Sequence, residues 1–349
     1  MRVLVTGYQG YLGSVMVPVL KDAGHDVTGL DSGFFADCVL GPPPQYVPGM
    51  RMDLRDVTVE QLKPFEAVIH LAALSNDPLG AVTPRITYDI NHHASVRMAR
   101  CAKEAGVRRF LYASTCSVYG AAGDGLVSEE GPLYPLTPYA GSKARVEACV
   151  AAIADESFSP VFLRCATAFG FSPRLRADIV LNNLVARAVL GGEVRVLSDG
   201  TPWRPLVHAL DIATAFLMAL EAPTHKVHCT AYNVGTESNN ATVAEIAQSV
   251  VDVVPGAKSL ITGEAGFDPR SYRVDFSAIR RELGFTASWT IADGAAELYD
   301  KYRSFGLTED DFANKFTRLT RLETLRNAGI LSESMRWVPA TRHKPKRAC

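Results

Sequence analysis

The stretch Thr6-Gly7-Tyr8-Gln9-Gly10-Tyr11-Leu12-Gly13 directly follows the short apolar run Val3-Leu4-Val5. A second apolar run, residues 27–30, ends at Asp31. The apolar runs are typical of buried strands, and the residues between the glycines and the second run can form a helix. The order of strand, glycine-rich turn, helix, strand and acid predicts a dinucleotide-binding unit.

Each part of this unit has a physical role on a dinucleotide. Gly7 permits the tight turn, Gly10 lets the backbone approach a pyrophosphate, and Gly13 lets the helix pack close to the sheet. The helix N-terminus offers unpaired N–H groups and a positive dipole end. Asp31 can accept a hydrogen bond from the ribose 2′-hydroxyl and would repel a 2′-phosphate, so the expected cofactor is NAD rather than NADP. A purely structural glycine turn is disfavoured by the flanking strands and acid.

The composition is that of an ordinary globular protein. The chain has 349 residues, 47% hydrophobic and 21% charged, with a formal net charge of −1. This balance predicts neither nucleic-acid nor membrane binding, and the basic residues 342–347 are expected to be a solvated tail. Seven cysteines without a CxxC spacing favour a reducing compartment, so we expect the cytoplasm. His92-His93 lacks a metal-ligand spacing, and no metal is expected.

Short apolar runs alternate with helical stretches through the first half of the chain, which predicts an α/β fold of the Rossmann type. Its sheet would be parallel and doubly wound, with the ligand at the carboxyl ends of the strands. The predicted strands are residues 3–5, 27–30, 67–71, 109–112 and 161–163, and the predicted helices are 12–23, 85–105 and 138–156. Further helices are predicted at 178–190, 210–221 and 242–254, and further strands at 194–197 and 232–234.

A second signature is Tyr139-Ala140-Gly141-Ser142-Lys143. On a helix, residues four apart share one face, so the phenol and the ammonium would be neighbours. The ammonium favours the phenolate, which can then act as a general base. Upstream, Ser114 and Thr115 lie at the end of a predicted strand, and the Thr115 hydroxyl could reach the same substrate oxygen.

With these two signatures, residues 1–300 resemble the extended short-chain dehydrogenase/reductase family, in the branch that acts on nucleotide sugars. Further matches lie along the chain: Asp53-Leu54-Arg55-Asp56, His70-Leu71-Ala72-Ala73, Tyr88-Asp89-Ile90-Asn91, Trp203-Arg204-Pro205-Leu206-Val207-His208 and Asp268-Pro269-Arg270. The resemblance implies NAD as cofactor, a nucleotide-diphosphate sugar as substrate and a homodimer.

The resemblance also implies roles for individual residues. The catalytic set is Tyr139, Lys143 and Thr115, and Asn91 is expected to support the active-site helix. The expected cofactor contacts are Gly7, Tyr8, Gln9, Gly10, Tyr11, Leu12, Gly13, Asp31, Asp53, Leu54, Leu71, Ala72, Ala73, Asn91, Ser114, Tyr139 and Lys143. The expected substrate contacts are Asp77, Thr115, Cys116, Ser117, Tyr139, Thr167, Asn183, Arg204 and Arg270.

The residues after Thr115 bear on the reaction. Family dehydratases carry Asp-Glu at these two positions and family decarboxylases a glutamate at the second, whereas this chain has Cys116 and Ser117. Neither can do carboxylate chemistry, so dehydration and decarboxylation are disfavoured. The expected activity is a nucleotide-sugar epimerase, at C4, that oxidises the sugar transiently and returns the hydride. Three alternatives remain: a 4-ketosugar reductase, a dehydratase or decarboxylase with displaced catalytic groups, and a non-catalytic NAD-binding regulator.

The family pattern predicts a discontinuous division into two domains. Residues 1–172 and 206–236 would form the cofactor domain, and residues 173–205 and 237–305 a smaller substrate-binding lid. Residues 306–349 are a charged extension that is expected to pack on the outside.

Overall fold

Strands and helices alternate along the chain in a computed structural model that describes residues 1–75, 83–121, 125–264 and 270–339. The strands are β1 (Arg2–Thr6), β2 (Asp26–Asp31), β3 (Gly49–Arg51), β4 (Ala67–His70), β5 (Arg109–Thr115), β6 (Leu126–Val127), β7 (Ser159–Cys165), β8 (Thr167–Phe169), β9 (Glu193–Val196), β10 (Trp203–His208), β11 (Thr230–Val234), β12 (Asn240–Thr242), β13 (Lys258–Ile261) and β14 (Arg273–Val274). The α-helices are α1 (Tyr11–Asp22), α2 (Val59–Leu62), α3 (Pro84–Thr87), α4 (Ser95–Glu104), α5 (Pro138–Ala151), α6 (Val180–Gly191), α7 (Ala209–Glu221), α8 (Thr224–Val227), α9 (Val243–Val253), α10 (Ser277–Leu283), α11 (Ile291–Ser304) and α12 (Arg318–Asn327).

The central sheet has the strand order β11-β7-β5-β4-β1-β2-β3 among the described residues, and all its pairs are parallel. Every residue of β4 and β7 is buried, as expected for strands covered by helices on both faces. The predicted Rossmann-type α/β fold is therefore confirmed. The order reverses between β1 and β4, and parallel sheets bind ligands at such a switch point.

Two predicted helices differ from those observed. The helix expected at 85–105 is divided into α3, a π-helix at Tyr88–Ala94, and α4. The helix expected at 138–156 ends at Ala151. Just beyond, the Asp155 carboxylate accepts hydrogen bonds from the backbone N–H of Ser157 and Phe158 at 2.9 and 3.0 Å. An aspartate that caps a turn in this way competes with helix propagation.

Smaller sheets lie beyond the central one. Strand β10 joins β8 and β12, β9 pairs with β13, and β6 pairs with β14. A second hydrophobic cluster lies next to these smaller sheets and is separate from the core of the central sheet. It includes Leu184, Val194 and Ile246. Phe276 and Phe285, by contrast, pack into the core of the central sheet. The division into two domains stays a proposal, with this second cluster in its support.

The described part of the charged segment after residue 305 is folded. It contains a π-helix at Asp311–Lys315 and the helix α12, and Leu331 bridges to Trp337. None of the helices within the described ranges is long and apolar enough to cross a bilayer.

Candidate active site

A cavity of about 710 Å³ opens at the carboxyl ends of β1, β4 and β5. It gathers most of the residues that sequence analysis selected, although they lie far apart along the chain. The selected residues that line it are Gly7, Gly10, Tyr11, Leu12, Gly13, Asp31, Asp53, Leu54, Leu71, Ala72, Ala73, Ser114, Thr115, Ser117, Tyr139, Lys143, Thr167, Asn183, Arg204 and Arg270.

The glycine turn forms one wall of the cavity. Gly7 has a φ of +73°, and a Cβ there would lie 2.9 Å from the Ala72 nitrogen. A Cβ on Gly13 would lie 2.3 Å from the Gly7 carbonyl oxygen. The helix α1 begins at Tyr11 without a side-chain cap, so its first N–H groups are available to an anion. This cradle fits the pyrophosphate of a dinucleotide.

Asp31 is held in place by the turn that it faces. Its carboxylate accepts hydrogen bonds from the Gly33 and Gln9 N–H groups at 2.7 and 3.1 Å. Burial raises the pKa of Asp31, and these hydrogen bonds oppose the rise. A carboxylate has about four acceptor positions, so capacity remains for ribose hydroxyls.

The phenol and the ammonium of the second signature lie in α5. Thr137 caps this helix by accepting a hydrogen bond from the Ala140 N–H at 3.1 Å. Lys143 Nζ donates to the Ala113 carbonyl at 2.6 Å and lies 5.8 Å from the centroid of the Tyr139 ring. Lys143 is only 3% exposed, and burial lowers its pKa to about 8. The cation therefore sits beside the phenol in a poorly solvated site, where its field is strong.

Thr115 and Ser117 bring two neighbouring hydroxyls to the lining of the cavity. The Thr115 hydroxyl donates to Ser117 Oγ at 3.1 Å and accepts from the Ser117 N–H at 3.1 Å. Tyr272 donates to Ser117 Oγ at 3.5 Å and also lines the cavity. These groups form a chain of hydroxyls that can orient a polar substrate.

A buried ion pair, which sequence analysis did not identify, supports the back of the site. Arg164 of β7 and Glu147 of α5 pair at 2.7 Å, and Ser114 donates to the same carboxylate. Arg164 also donates to the Tyr119 hydroxyl at 3.0 Å. The pair therefore ties α5, β5 and β7 together and fixes Lys143 one helical turn away. Glu147 carried no motif signal, because its role depends on a partner from another strand.

Several arginines line the cavity. Arg176 pairs with Asp178 at 3.0 Å, and Arg195 is also part of the lining. Arg204 donates to the Trp203 carbonyl at 2.9 Å and to the carbonyl of Arg270. Their positive charge suits a diphosphate, which arginine can bind in a bidentate manner.

Four selected residues do not line the cavity. Tyr8 packs its ring against Gly29 and Gly49. The Gln9 side chain donates to the Tyr8 hydroxyl at 3.0 Å, while its N–H holds Asp31 as described above.

Asn91 holds the Leu74 backbone by two hydrogen bonds at 2.8 and 3.0 Å, so its side chain supports the loop after β4, and its expected support of the active-site helix stays a prediction. Cys116 directs its thiol to the Arg164 carbonyl at 3.0 Å, inside the core, and burial raises its pKa. The prediction that Cys116 contacts the substrate is therefore wrong. Its side chain faces the core, because the short 3₁₀ turn after Thr115 presents Ser117 to the cavity instead. Asp77, the remaining selected residue, lies outside the described residues.

Comparison with known proteins extends these observations. The family model described as the NAD dependent epimerase/dehydratase family matches residues 3–235. The UDP-glucose 4-epimerase of Mycolicibacterium smegmatis is 29% identical over 87% of this chain and 99% of its own. The dTDP-glucose 4,6-dehydratase of Streptomyces griseus is 28% identical over 87% of this chain and 95% of its own. Among solved structures, MoeE5 in complex with UDP-glucuronic acid and NAD is 29% identical, with a TM-score of 0.76 over 87% of this chain and 99% of that one. Epimerases and dehydratases are thus similarly close.

Proposed function

Since this chain belongs to the NAD-dependent epimerase/dehydratase family and NAD is its cofactor, we propose that it is a nucleotide-sugar epimerase that acts at C4. The observation that carries the proposal is that one cavity holds Tyr139, Lys143 and the hydroxyls of Thr115 and Ser117, while every carboxylate of its described lining already has another partner. Relatives that bind UDP-linked sugars support a nucleotide-diphosphate sugar as substrate.

The carboxylates that line the described part of the cavity all have other partners. Asp31 accepts from Gln9 and Gly33, Asp53 pairs with Arg55 at 2.7 Å, and Asp178 pairs with Arg176. Elimination of water needs an acid and a base at neighbouring sugar carbons. Epimerisation needs only one proton acceptor at the reacting hydroxyl, so the described groups favour it.

In the proposed mechanism, the glycine turn and Asp31 would hold NAD. When bound, the cofactor would accept a hydride from the sugar and later return it. Tyr139 takes the proton from the sugar hydroxyl and later returns it. Lys143 stabilises the phenolate while its own Nζ is anchored on the Ala113 carbonyl. Thr115 hydrogen-bonds the same sugar oxygen, and its neighbour Ser117 positions its hydroxyl.

The test is incubation of the purified protein, without added cofactor, with UDP-, dTDP-, GDP- and CDP-linked sugars. Products are followed by mass spectrometry and proton NMR. An isomer of unchanged mass is expected, and Tyr139→Phe is expected to lower its rate by a factor of about 100 or more. The exposed Tyr134 supplies the control, Tyr134→Phe, which should turn over at the native rate.

Other products would contradict the proposal. Loss of water or carbon dioxide would indicate a dehydratase or decarboxylase. Turnover only with a ketosugar and stoichiometric NADH or NADPH would indicate a reductase. Full activity of Tyr139→Phe would contradict the role given to this phenol.

We also propose that the protein is a homodimer, as its family resemblance implies. Light scattering coupled to gel filtration tests this directly, because a monomer has a mass of 37.8 kDa and a dimer twice that value.

A further inference from the structure

The extension after residue 305 lies beyond the matched family region and packs beside the cofactor end of the cavity. Its Leu322, Leu325 and Leu331 form an apolar cluster with Phe34 and Leu74. Phe34 follows β2, and Leu74 follows β4, so both belong to loops at the carboxyl edge of the sheet. The extension therefore covers the loops that also carry Asp31 and the Leu71-Ala72-Ala73 wall.

Polar contacts fasten the extension to the same loops. The Trp337 indole donates to the Ser32 carbonyl at 2.7 Å. Arg55, the partner of Asp53, donates to the Met335 carbonyl at 3.2 Å. Arg336 pairs with Asp56 at 2.6 Å. Asp31 and Asp53, both expected to contact the cofactor, thus lie next to segments that the extension contacts.

One residue of the extension reaches the cavity itself. Arg318, at the start of α12, is 5% exposed and lines the cavity together with Gly10, Tyr11 and Leu12. Its Nη2 donates to the Arg174 carbonyl at 3.0 Å, and its guanidinium carbon lies 3.9 Å from the centroid of the Phe35 ring. Its Nη1 is buried and has no hydrogen-bond partner among the described residues.

A buried guanidinium group with an unpartnered nitrogen at the cavity wall would be stabilised by a bound anion. Burial of a charged donor without a partner is costly, by several kcal/mol in ordinary cases. The neighbouring Arg174 and Arg176 add positive charge, whereas both nearby acids already have partners: Asp178 pairs with Arg176, and Asp31 accepts hydrogen bonds from Gln9 and Gly33. Burial lowers the pKa of Arg318 to about 10, so it remains charged at neutral pH. The anion expected in this cavity is the diphosphate of the dinucleotide, since α1 begins at the same wall.

We propose that Arg318 is a cofactor-binding residue, whose guanidinium group contacts the diphosphate of bound NAD, and that the extension thereby retains the cofactor. A planar guanidinium fixed by Phe35 and the Arg174 carbonyl is preorganised for a phosphate oxygen. The inference requires NAD binding but not the sugar reaction. It can therefore fail or succeed independently of the proposed epimerase activity.

The test compares the full-length native protein with Arg318→Met, which keeps an unbranched apolar side chain against Phe35. Affinities for NAD, ADP and adenosine are measured by calorimetry on protein freed of nucleotide, and co-purified NAD is measured after gel filtration. Because a hydrogen bond to a charged group contributes about 1.5–3 kcal/mol, NAD and ADP should bind about 10- to 100-fold more weakly. Adenosine, which has no phosphate, should bind as it does to the native protein.

Arg326→Met is the matched control. Arg326 lies on the same helix, pairs with Glu333 and is not among the cavity residues, so NAD, ADP and adenosine should bind to this variant as to the native protein. Native NAD affinity of Arg318→Met, or equal losses for ADP and adenosine, would overturn the inference. If Arg318→Met does not fold, Arg318→Lys decides. Its single ammonium cannot hold the Arg174 carbonyl and a phosphate in the same geometry, so ADP but not adenosine should again be weakened.

Discussion

Gly13→Ala tests the geometry on which the whole cofactor site depends. A Cβ at this position would lie 2.3 Å from the Gly7 oxygen and 2.5 Å from the Tyr8 Cα, both of them backbone atoms. Ordinary contacts begin near 3.4 Å, so α1 must move away from the turn by about 1 Å. Such overpacking costs about 1–3 kcal/mol, which corresponds to a fall in Tm of about 1.5–4 °C in a chain of this size.

The same displacement should weaken NAD binding, because the N–H groups at the start of α1 move away from the pyrophosphate. The expected loss is about tenfold, or about 1.4 kcal/mol. Differential scanning calorimetry gives the Tm, and calorimetric titration of nucleotide-free protein gives the affinity. Gly191→Ala is the control, since Gly191 ends α6, has an ordinary φ and would place its Cβ in open space. Its Tm should be unchanged or slightly higher, as alanine favours helices.

The reasoning would be refuted by a Gly13→Ala protein that melts within about 1 °C of the native protein and binds NAD with native affinity. That result would mean that α1 can shift without cost, and that close packing of helix and turn is not what this glycine provides.

Two further predictions concern the buried charges of the site. Burial lowers the pKa of Lys143 from 10.5 to about 8, so the folded chain releases this proton at a lower pH than the unfolded chain. The cost of burying the charge is thus present at neutral pH and is relieved as the pH rises through 8. In urea denaturation of nucleotide-free protein, the native chain should gain about 2 kcal/mol relative to Lys143→Met between about pH 7 and pH 9.5. If the difference in unfolding free energy between the native protein and Lys143→Met stays constant across this pH range, the lowered pKa of Lys143 is contradicted. Glu147→Gln should lower the unfolding free energy by about 3–5 kcal/mol, because it leaves the buried Arg164 cation without its partner. The exposed Glu130→Gln is expected to change it by less than about 0.5 kcal/mol, and equal effects of the two variants would refute the role of the pair.

The elements of the cofactor half could be predicted because their signals are local. Buried parallel strands appear as apolar runs, and the turn between β1 and α1 requires glycine at positions that a side chain would fill. The start of α9 was likewise predicted within one residue, and the structure shows that Thr242 and Glu245 form a capping box there. The π-helix at Tyr88–Ala94 had no such signal, since its residues follow the same apolar pattern as an ordinary helix.

A site residue could be predicted from the sequence only where its place in one strand, turn or helix is enough to bring it to the site. Tyr139 and Lys143 share a helix face wherever that helix lies, and Asp31 ends a strand beside the turn that it faces. The direction of Cys116 and the contact of Asn91 with Leu74 depend instead on how a short turn and a π-helix pack against their neighbours.

By itself, then, the amino-acid sequence determined the Rossmann-type fold and the cofactor, because strand burial, glycine spacing and helix periodicity are properties of short segments, and the resemblance of its motifs identified the family. The tertiary structure alone decided which distant side chains meet. Glu147 pairs with Arg164 of another strand, and Arg318 reaches a cavity wall whose turn lies near the other end of the chain. Long-range pairs of this kind follow from the packing of whole elements, and a charged residue carries no mark in the sequence of the partner that it will find.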